Sequence, residues 1–279
     1  MQRSWPRTGH LHSLPDARWP EKKNKLSDMN HFPDMDTLCE RIRGDWKSSA
    51  QILCRRIEAI YRKQGVEMTT DPIDQQFYLS ALYTIIKAID ARHVIETGTF
   101  AGYSTAAMAC AMNDLHTDGV IESIDPAPPR YGGFDLNNPV SVASRVLIRS
   151  FPHRVILHRG YSVQAWDDSR NALPQVPQGI LTDLASRKPK TDFLLVDGDH
   201  SYPGAYWDLK VGCRSLKPDG PRLIFVHDYH SIPDVRQAVR DWRRQNDQWI
   251  VFRAYSKNSG FALLQCHPAL IMAERKAAG

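Results

Sequence analysis

Apolar positions follow two alternating spacings along this chain, and the alternation predicts strands and helices in turn. Short runs rich in Val, Ile and Leu predict strands, whereas apolar residues repeated every three or four positions predict amphipathic helices. The strands are predicted at residues 93–96, 120–124, 155–158, 191–196, 223–226, 249–254 and 261–265. The helices are predicted at residues 36–63 in one or two pieces, 73–89, 104–112, 140–150, 206–216 and 235–244, with a further helix from the turn at 160–162 through 166.

The order of these elements predicts an α/β fold. A run that is apolar almost throughout, such as 191–196, suits a parallel strand covered by helices on both faces. The last two strands are separated only by the polar segment 256–260, which predicts a hairpin. We therefore expect a Rossmann-like, doubly wound sheet with an antiparallel last strand, preceded by an N-terminal helical cap.

Composition divides the chain into four segments. Residues 1–33 contain four prolines and no periodicity, which predicts a poorly ordered leader. Residues 34–70 are predicted to form the helical cap, 71–268 the ligand-binding domain and 269–279 a tail. Because an amphipathic cap often packs against a second copy, we also expect that a homo-oligomer could form through the N-terminal helices.

Overall composition indicates a globular protein and argues against nucleic-acid and membrane partners. The 279 residues are 42% hydrophobic and 24% charged, which is enough for one substantial core. The net charge is +5, but the basic run at 236–244 has the spacing of a solvated helix face, so we expect no nucleic-acid partner. Five widely separated cysteines predict reduced thiols in a cytoplasm. Without a run near the roughly 18 apolar residues of a membrane span, or a signal core, we expect no membrane partner.

The connection after the first predicted strand is the most informative stretch. Glycines four residues apart let the backbone approach a ligand closely, and the helix that follows presents free N–H groups. The spacing differs from the three-glycine fingerprint of dinucleotide sites. An acid two residues before the first glycine suits a ligand with a cation or hydroxyls, such as S-adenosylmethionine. The predicted contacts are Glu96, Gly98, Thr99, Phe100, Gly102, Tyr103 and Ser104.

Two further positions extend this predicted ligand pocket. Asp125 ends the second strand, where an acid some 20 or more residues past the glycine loop can bind ribose hydroxyls. A turn or helix-capping role before Pro126 is the alternative. In the predicted architecture the turn Gly160, Tyr161 and Ser162 lies beside the adenine, so we expect contacts from its backbone N–H groups and the serine hydroxyl, with the ring of Tyr161 or Trp166 against the adenine face.

The acceptor is expected to contact loops. Residues 126–139 form a connection rich in Pro, Gly and aromatic residues, longer than a routine one, with Tyr131 and Phe134 as candidate contacts and disorder as the alternative. Tyr202, Tyr229 and His230 flank the polar clusters described next and are also assigned to the acceptor.

Acids and histidines follow two neighbouring predicted strands. Asp197 comes directly after the strand at 191–196, and Asp228 closely follows the strand at 223–226. Because ligands bind at the carboxyl ends of strands in open α/β sheets, these carboxylates could hold a divalent cation such as Mg²⁺. His227 or His230 as a third ligand would favour a softer ion such as Mn²⁺ or Fe²⁺. The alternative is that both acids cap the helices that follow.

His200 is the best candidate for a general base. An imidazole that titrates near neutrality can take a proton from a substrate hydroxyl as that hydroxyl attacks. With Asp197 and Asp228 it makes up the predicted catalytic set, and Asp197 and His200 are also expected beside the cofactor. A purely structural histidine is the alternative.

These motifs as a set resemble class I S-adenosylmethionine-dependent methyltransferases. The resemblance is carried by 96–104 (ETGTFAGYS), 124–125 (ID), 196–202 (VDGDHSY) and 226–228 (VHD). It is closest to the branch that includes macrocin-type sugar O-methyltransferases and cephalosporin-biosynthesis enzymes. The resemblance implies a seven-stranded sheet with a reversed last strand, S-adenosylmethionine over the first two strands, a base at His200 and, in metal-dependent members, an ion at Asp197, His227 and Asp228.

One position departs from that pattern and keeps alternatives open. Metal-dependent members of the branch have an acid where this chain has His227. We therefore expect methyl transfer to a hydroxyl of a small secondary metabolite, with metal-independent C- or N-methylation of an aromatic ring such as an indole as the main alternative. A module that binds S-adenosylmethionine without catalysis is a further one.

Overall fold

Helices and strands alternate along the chain. The computed structural model describes residues 46–67, 72–128, 139–165, 178–187, 190–254 and 260–266, all within one compact unit, 32–279. The helices are α1 (Trp46–Lys63), α2 (Pro72–Ala88), α3 (Tyr103–Asp114), α4 (Pro139–Ser150), α5 (Ile180–Ser186), α6 (Tyr202–Gly212) and α7 (Pro233–Arg244). The strands are β1 (His93–Thr97), β2 (Val120–Asp125), β3 (Val155–Arg159), β4 (Phe193–Val196), β5 (Leu223–Val226), β6 (Trp249–Ala254) and β7 (Phe261–Cys266).

These strands form one seven-stranded sheet in the order β3-β2-β1-β4-β5-β7-β6. Strands β1 to β5 are parallel, and β7 runs antiparallel to both β5 and β6. The predicted doubly wound sheet with an antiparallel last strand is therefore confirmed. The strand order reverses at β1, which pairs with β2 on one side and β4 on the other, and such a switch point is where open α/β sheets bind ligands.

Helices cover both faces of the sheet in two apolar layers. Because side chains alternate along a strand, β4 sends Phe193 and Leu195 into the layer with α1 to α4, and Leu194 and Val196 into the layer with α5 to α7. This double burial explains why β4 is apolar at every position. Among the described helices, none is both long enough and apolar enough to span a membrane.

Helix α1, which falls in the predicted cap, packs directly on the sheet-covering helices. Leu53, Ile57 and Tyr61 are buried in the same apolar layer as α2 and α3, and burial of side chains of this size contributes about 1.5–3 kcal/mol each. The Tyr61 hydroxyl donates a hydrogen bond of 2.6 Å to the backbone oxygen of Ala101. Helix α1 thus supports the glycine loop from behind, while the division into cap and domain stays a prediction.

The prediction that a helix starts at the turn 160–162 is wrong, because residues 161–165 are not helical. Backbone groups there pair with the segment around α5 instead: Gln164 donates to Gln178, and Ile180 donates to Tyr161. Val163 is buried. These cross-connections use the backbone groups that a helix would need, and α5 itself was not predicted. Trp166, the predicted end of that helix, lies outside the described residues.

Candidate active site

Two glycines in a left-handed conformation shape the loop between β1 and α3. Gly98 has φ 86° and Gly102 has φ 82°, a region that other residues enter at a cost. A Cβ atom at Gly98 would lie 2.0 Å from the backbone oxygen of Asp197. The glycine loop therefore lies against the end of β4, so the predicted cofactor loop adjoins the polar cluster that follows that strand.

Glu96 is enclosed beneath this loop. Its carboxyl group is fully buried and accepts hydrogen bonds of 2.5 Å from the hydroxyls of Ser104, Thr105 and Ser123. Burial raises the pKa of Glu96 to about 7, although the hydroxyl bonds oppose the rise. Glu96 thus ties β1 to β2 and to the start of α3. The contact of Glu96 with a ligand stays a prediction, and Ser104 already donates its hydroxyl to Glu96.

Asp125 holds the glycine loop from the neighbouring strand. Its Oδ2 accepts hydrogen bonds from the backbone N–H groups of Thr99 (3.0 Å) and Phe100 (2.9 Å), and its Oδ1 accepts from Ala127 (2.7 Å). Only 2% of Asp125 is exposed. In this structure the carboxylate therefore serves the turn-stabilising role that the sequence offered as the alternative, and ribose binding stays a prediction.

The turn predicted to lie beside the adenine follows β3. The backbone N–H of Gly160 donates to the backbone oxygen of Asp125 at 2.9 Å, which brings this turn to the end of β2. Tyr161 is 61% exposed and so leaves its ring open to a ligand. The Ser162 hydroxyl instead donates to Asp208 Oδ1 at 2.6 Å. The turn thus lies beside the end of β2 with the Ser162 hydroxyl bonded to Asp208, and its contact with the adenine stays a prediction.

Four ionisable side chains meet at the carboxyl ends of β4 and β5. Val196 and Val226 are paired across these strands, so the residues that follow them emerge side by side. His227 Nδ1 lies 3.0 Å from an oxygen of Asp197 and 3.3 Å from one of Asp228. His200 Nε2 lies 3.3 Å and 3.5 Å from the same two oxygens. One potential ligand atom from each of the four residues lies within 4.8 Å of the others.

The cluster balances its own charge. Burial opposes a charge on His227, but the carboxylate of Asp197 outweighs burial and raises the pKa of His227 to about 10. Burial also disfavours the Asp197 carboxylate, yet the two imidazoles hold its pKa well below its ordinary value. For His200, burial is likewise outweighed by Asp197, and its pKa rises. Two carboxylates thus face two imidazoles, and the negative charge of Asp197 raises the pKa of both.

Comparisons with known proteins agree with the fold. Residues 95–229, which run from β1 to the end of the cluster, match a family model described as a methyltransferase domain. The chain therefore contains a methyltransferase domain over these residues. An O-methyltransferase from Bacillus cereus, solved in complex with S-adenosylhomocysteine, shares the fold with 14% identity and a TM-score of 0.51, over 81% of this chain and 99% of that one.

A second solved structure has the same fold. It is the S-adenosylhomocysteine-bound methyltransferase PaMTH1 from Podospora anserina, with 12% identity and a TM-score of 0.50, over 86% of this chain and 99% of that one. A search of curated protein sequences gives no match. The macrocin-type branch stays a prediction for this methyltransferase.

Tyr78 is a member of the site that the sequence analysis missed. It lies on α2, is 5% exposed and donates its hydroxyl to Asp197 Oδ2 at 2.9 Å. Its ring centroid is 4.1 Å from that of His227. The only signal in the sequence was a tyrosine on the inner face of an amphipathic helix, whose hydroxyl needs a partner when buried. That partner could not be identified without the tertiary fold.

Asp208 of α6 was also missed. It is fully buried, burial raises its pKa to about 7, and the hydroxyls of Ser162 and Thr97 oppose the rise. Its Oδ2 has no hydrogen-bond partner among the described residues. The acid stands between Trp207 and Leu209, which are themselves buried. An acid in an amphipathic helix is normally predicted to face solvent, so the sequence pattern did not predict that Asp208 is buried.

The residues predicted to contact the acceptor have different environments. Tyr229 is 2% exposed and packs in the apolar layer with α6 and α7, so it is a core residue in this methyltransferase. Tyr202 stacks on Tyr206 and donates to Asp241 at 3.3 Å, along the α6–α7 contact. His230 is exposed. The other two candidates, Tyr131 and Phe134, lie outside the described residues.

Proposed function

We propose that this methyltransferase transfers the methyl group of S-adenosylmethionine to a hydroxyl group of a small molecule. One observation carries the proposal: the glycine loop packs on the backbone of Asp197, so the predicted donor loop and the cluster with a candidate base share a wall. An in-line transfer requires donor and acceptor to be held close together in fixed orientation, and this contact supports such an arrangement.

The donor is inferred from the fold and the loop together. The Bacillus cereus and Podospora anserina proteins carry S-adenosylhomocysteine, the product that methyl transfer leaves behind. In this chain the left-handed glycines and the start of α3 suit close approach by such a ligand. When bound, S-adenosylmethionine supplies the methyl group that the acceptor oxygen takes up.

His200 is proposed to remove the acceptor's proton. Its Nε2 faces the two carboxylates and can keep its hydrogen there, which leaves the lone pair of Nδ1 to accept a proton from a substrate hydroxyl. Its side chain is 40% exposed, against 16–20% for the other three members of the cluster. His200 is therefore the member best placed to meet an acceptor that enters from solvent.

The same cluster has a donor set that fits a divalent metal. Two carboxylates and two imidazoles within 4.8 Å suit first-row ions such as Mn²⁺, Fe²⁺ or Zn²⁺ better than Mg²⁺, which prefers oxygen ligands. Asp197, His227 and Asp228 would hold the ion, with His200 as a fourth ligand or as the base. A metal would lower the pKa of a bound hydroxyl and orient it.

Replacement of the proposed base tests the function. His200→Ala should lower the rate of methyl transfer about 10²–10⁴-fold, and should leave S-adenosylhomocysteine binding by calorimetry nearly unchanged. His116→Asn is the matched control, because His116 is exposed and far along the chain from the cluster. Unchanged turnover in His200→Ala, measured over a panel of hydroxylated acceptors, would reject the role of His200.

The charge balance of the cluster favours a second candidate, metal-independent methylation of a carbon or nitrogen of an aromatic acceptor. His227 is charged at neutral pH and neutralises the carboxylates that would otherwise attract an ion. Treatment with EDTA, followed by addition of Mn²⁺ or Mg²⁺, separates the two candidates. Loss and recovery of turnover supports the metal-assisted hydroxyl reaction, whereas indifference to EDTA supports the second candidate.

A further inference from the structure

A cavity of about 510 Å³ lies between α4 and β3, away from the cluster of acids and histidines. Thr99 of the glycine loop and Ala127, just after β2, form its inner wall. Ile148 and Leu157 supply apolar surface, and Ile148 is 52% exposed. Thr99 is also a predicted cofactor contact, so the cavity adjoins the proposed donor site, but the residues of α4 and β3 that line it have no role in the proposed methyl transfer.

Three arginines give the cavity its chemical character. Arg145 and Arg149 come from successive turns of α4, and Arg159 comes from the end of β3. Within the described ranges, none of the three guanidinium groups makes a hydrogen bond or ion pair with a protein group. The described lining residues include no acid, although His158 among them lies 2.9 Å from the carboxylate of Glu122 behind it. Three unpaired positive charges that converge on one cavity from two elements provide a surplus of donors for an anion.

We propose that this cavity binds a phosphate-type anionic group carried on an organic ligand. Guanidinium groups present planar pairs of N–H donors that match phosphate oxygens, and such charge-assisted bonds are stronger than neutral ones. The hydroxyl of Ser144 lines the same cavity and can add a further bond. The apolar surface of Ile148 and Leu157 suits the organic part of the ligand rather than a free inorganic ion.

The position of the cavity limits what the ligand can be. Three strand spacings separate β3 from β4 in the sheet, which is about 14 Å at about 4.8 Å per spacing. The anionic group therefore does not itself receive the methyl group at the cluster. It belongs either to the far end of a long acceptor, which rests on the proposed function, or to a separate effector, and the two sources share the same phosphate chemistry.

Calorimetric titration of the full chain with inorganic pyrophosphate at low ionic strength tests the site directly. We expect binding by the wild type and about tenfold or weaker binding by Arg145→Gln/Arg149→Gln. The control is Arg240→Gln/Arg243→Gln, which removes the same charge from a helix, α7, on the other layer. Absence of wild-type binding at millimolar pyrophosphate, or equal weakening in both double variants, would overturn the proposal.

Two further arms separate this inference from the proposed function and identify the source. Saturating S-adenosylhomocysteine should leave pyrophosphate binding intact; if it abolishes that binding, the cavity is part of the donor site and the proposal fails. Failure to bind S-adenosylhomocysteine would refute the proposed function while the pyrophosphate titration still decides the cavity. In turnover assays, a raised KM of Arg145→Gln/Arg149→Gln for phosphorylated acceptors alone indicates an acceptor tail, and a pyrophosphate effect on unphosphorylated acceptors indicates an effector.

Discussion

The buried carboxyl of Asp208 makes a sharp prediction about stability and pH. Asp208→Asn keeps the shape of the side chain and removes its ability to ionise. In the native protein the group is fully buried, and its Oδ1 accepts a hydrogen bond from the Ser162 hydroxyl. The neutral acid is therefore the form that this site tolerates, and ionisation must cost folding free energy.

The magnitude follows from the two pKa values. The pKa of Asp208 is 3.8 in its ordinary state and about 7 in the folded protein. At about 1.4 kcal/mol per tenfold change in proton affinity, the difference is about 4 kcal/mol. Between these pH values the folded state binds more protons than the unfolded chain, so the free energy of unfolding falls as pH rises and levels off above pH 7. Because burial also raises the pKa of Glu96, this residue too lowers the free energy of unfolding as pH rises.

Urea unfolding of the wild type and Asp208→Asn between pH 4 and pH 8 measures this effect. The variant should gain stability relative to the wild type by about 4 kcal/mol from the acid to the alkaline end, whatever its absolute stability at pH 4. Asp183→Asn is the control, because Asp183 is exposed on α5, and its curve should run parallel to that of the wild type. A constant difference between Asp208→Asn and the wild type would refute the buried neutral acid.

Three other substitutions test the site and the core. Tyr78→Phe removes the 2.9 Å bond to Asp197 and should lower kcat while it leaves S-adenosylhomocysteine binding unchanged; an equal loss of both, in steady-state assays and calorimetry, would contradict a role at the cluster alone. Gly98→Ala drives a Cβ atom into the backbone of Asp197 and should abolish S-adenosylhomocysteine binding, whereas Gly65→Ala, with a φ of 69° but open space around it, should retain binding. Leu82→Ala removes a fully buried side chain and should lower the free energy of unfolding in urea by about 2–5 kcal/mol. A smaller decrease would mean that the apolar layer repacks into the space left by the leucine side chain.

Most of the architecture could be predicted from the sequence because the spacing of apolar residues follows the pattern of burial. β4 and β5 are buried on both faces and apolar at every position, and the alternation between strands and helices fixed the fold class. The failure at residues 161–165 has a physical origin: their backbone hydrogen bonds go to residues around α5, more than ten positions away in sequence. Local periodicity carries no information about such pairing.

The candidate site could be predicted only in part. Parallel strands end at one edge, so the neighbourhood of Asp197 and Asp228 followed from topology alone. Tyr78 and Asp208 could not be found in this way, because both lie within helices whose pattern assigns residues to faces and not to partners. Tyr229 is the converse case: it is close in sequence to polar residues but packs in the core, and its contact with an acceptor stays a prediction.

Four acids at or near the ends of neighbouring strands illustrate why the same sequence pattern yields different chemistry. Glu96 receives only hydroxyl groups, and burial raises its pKa to about 7. Asp125 receives backbone N–H groups and fixes the glycine loop. Asp197 and Asp228 face imidazoles. Burial disfavours both carboxylates, but the contacts with the imidazoles outweigh burial and lower the pKa of both acids. The acids at the ends of β4 and β5 therefore hold their negative charge beside the imidazole proposed to accept the proton.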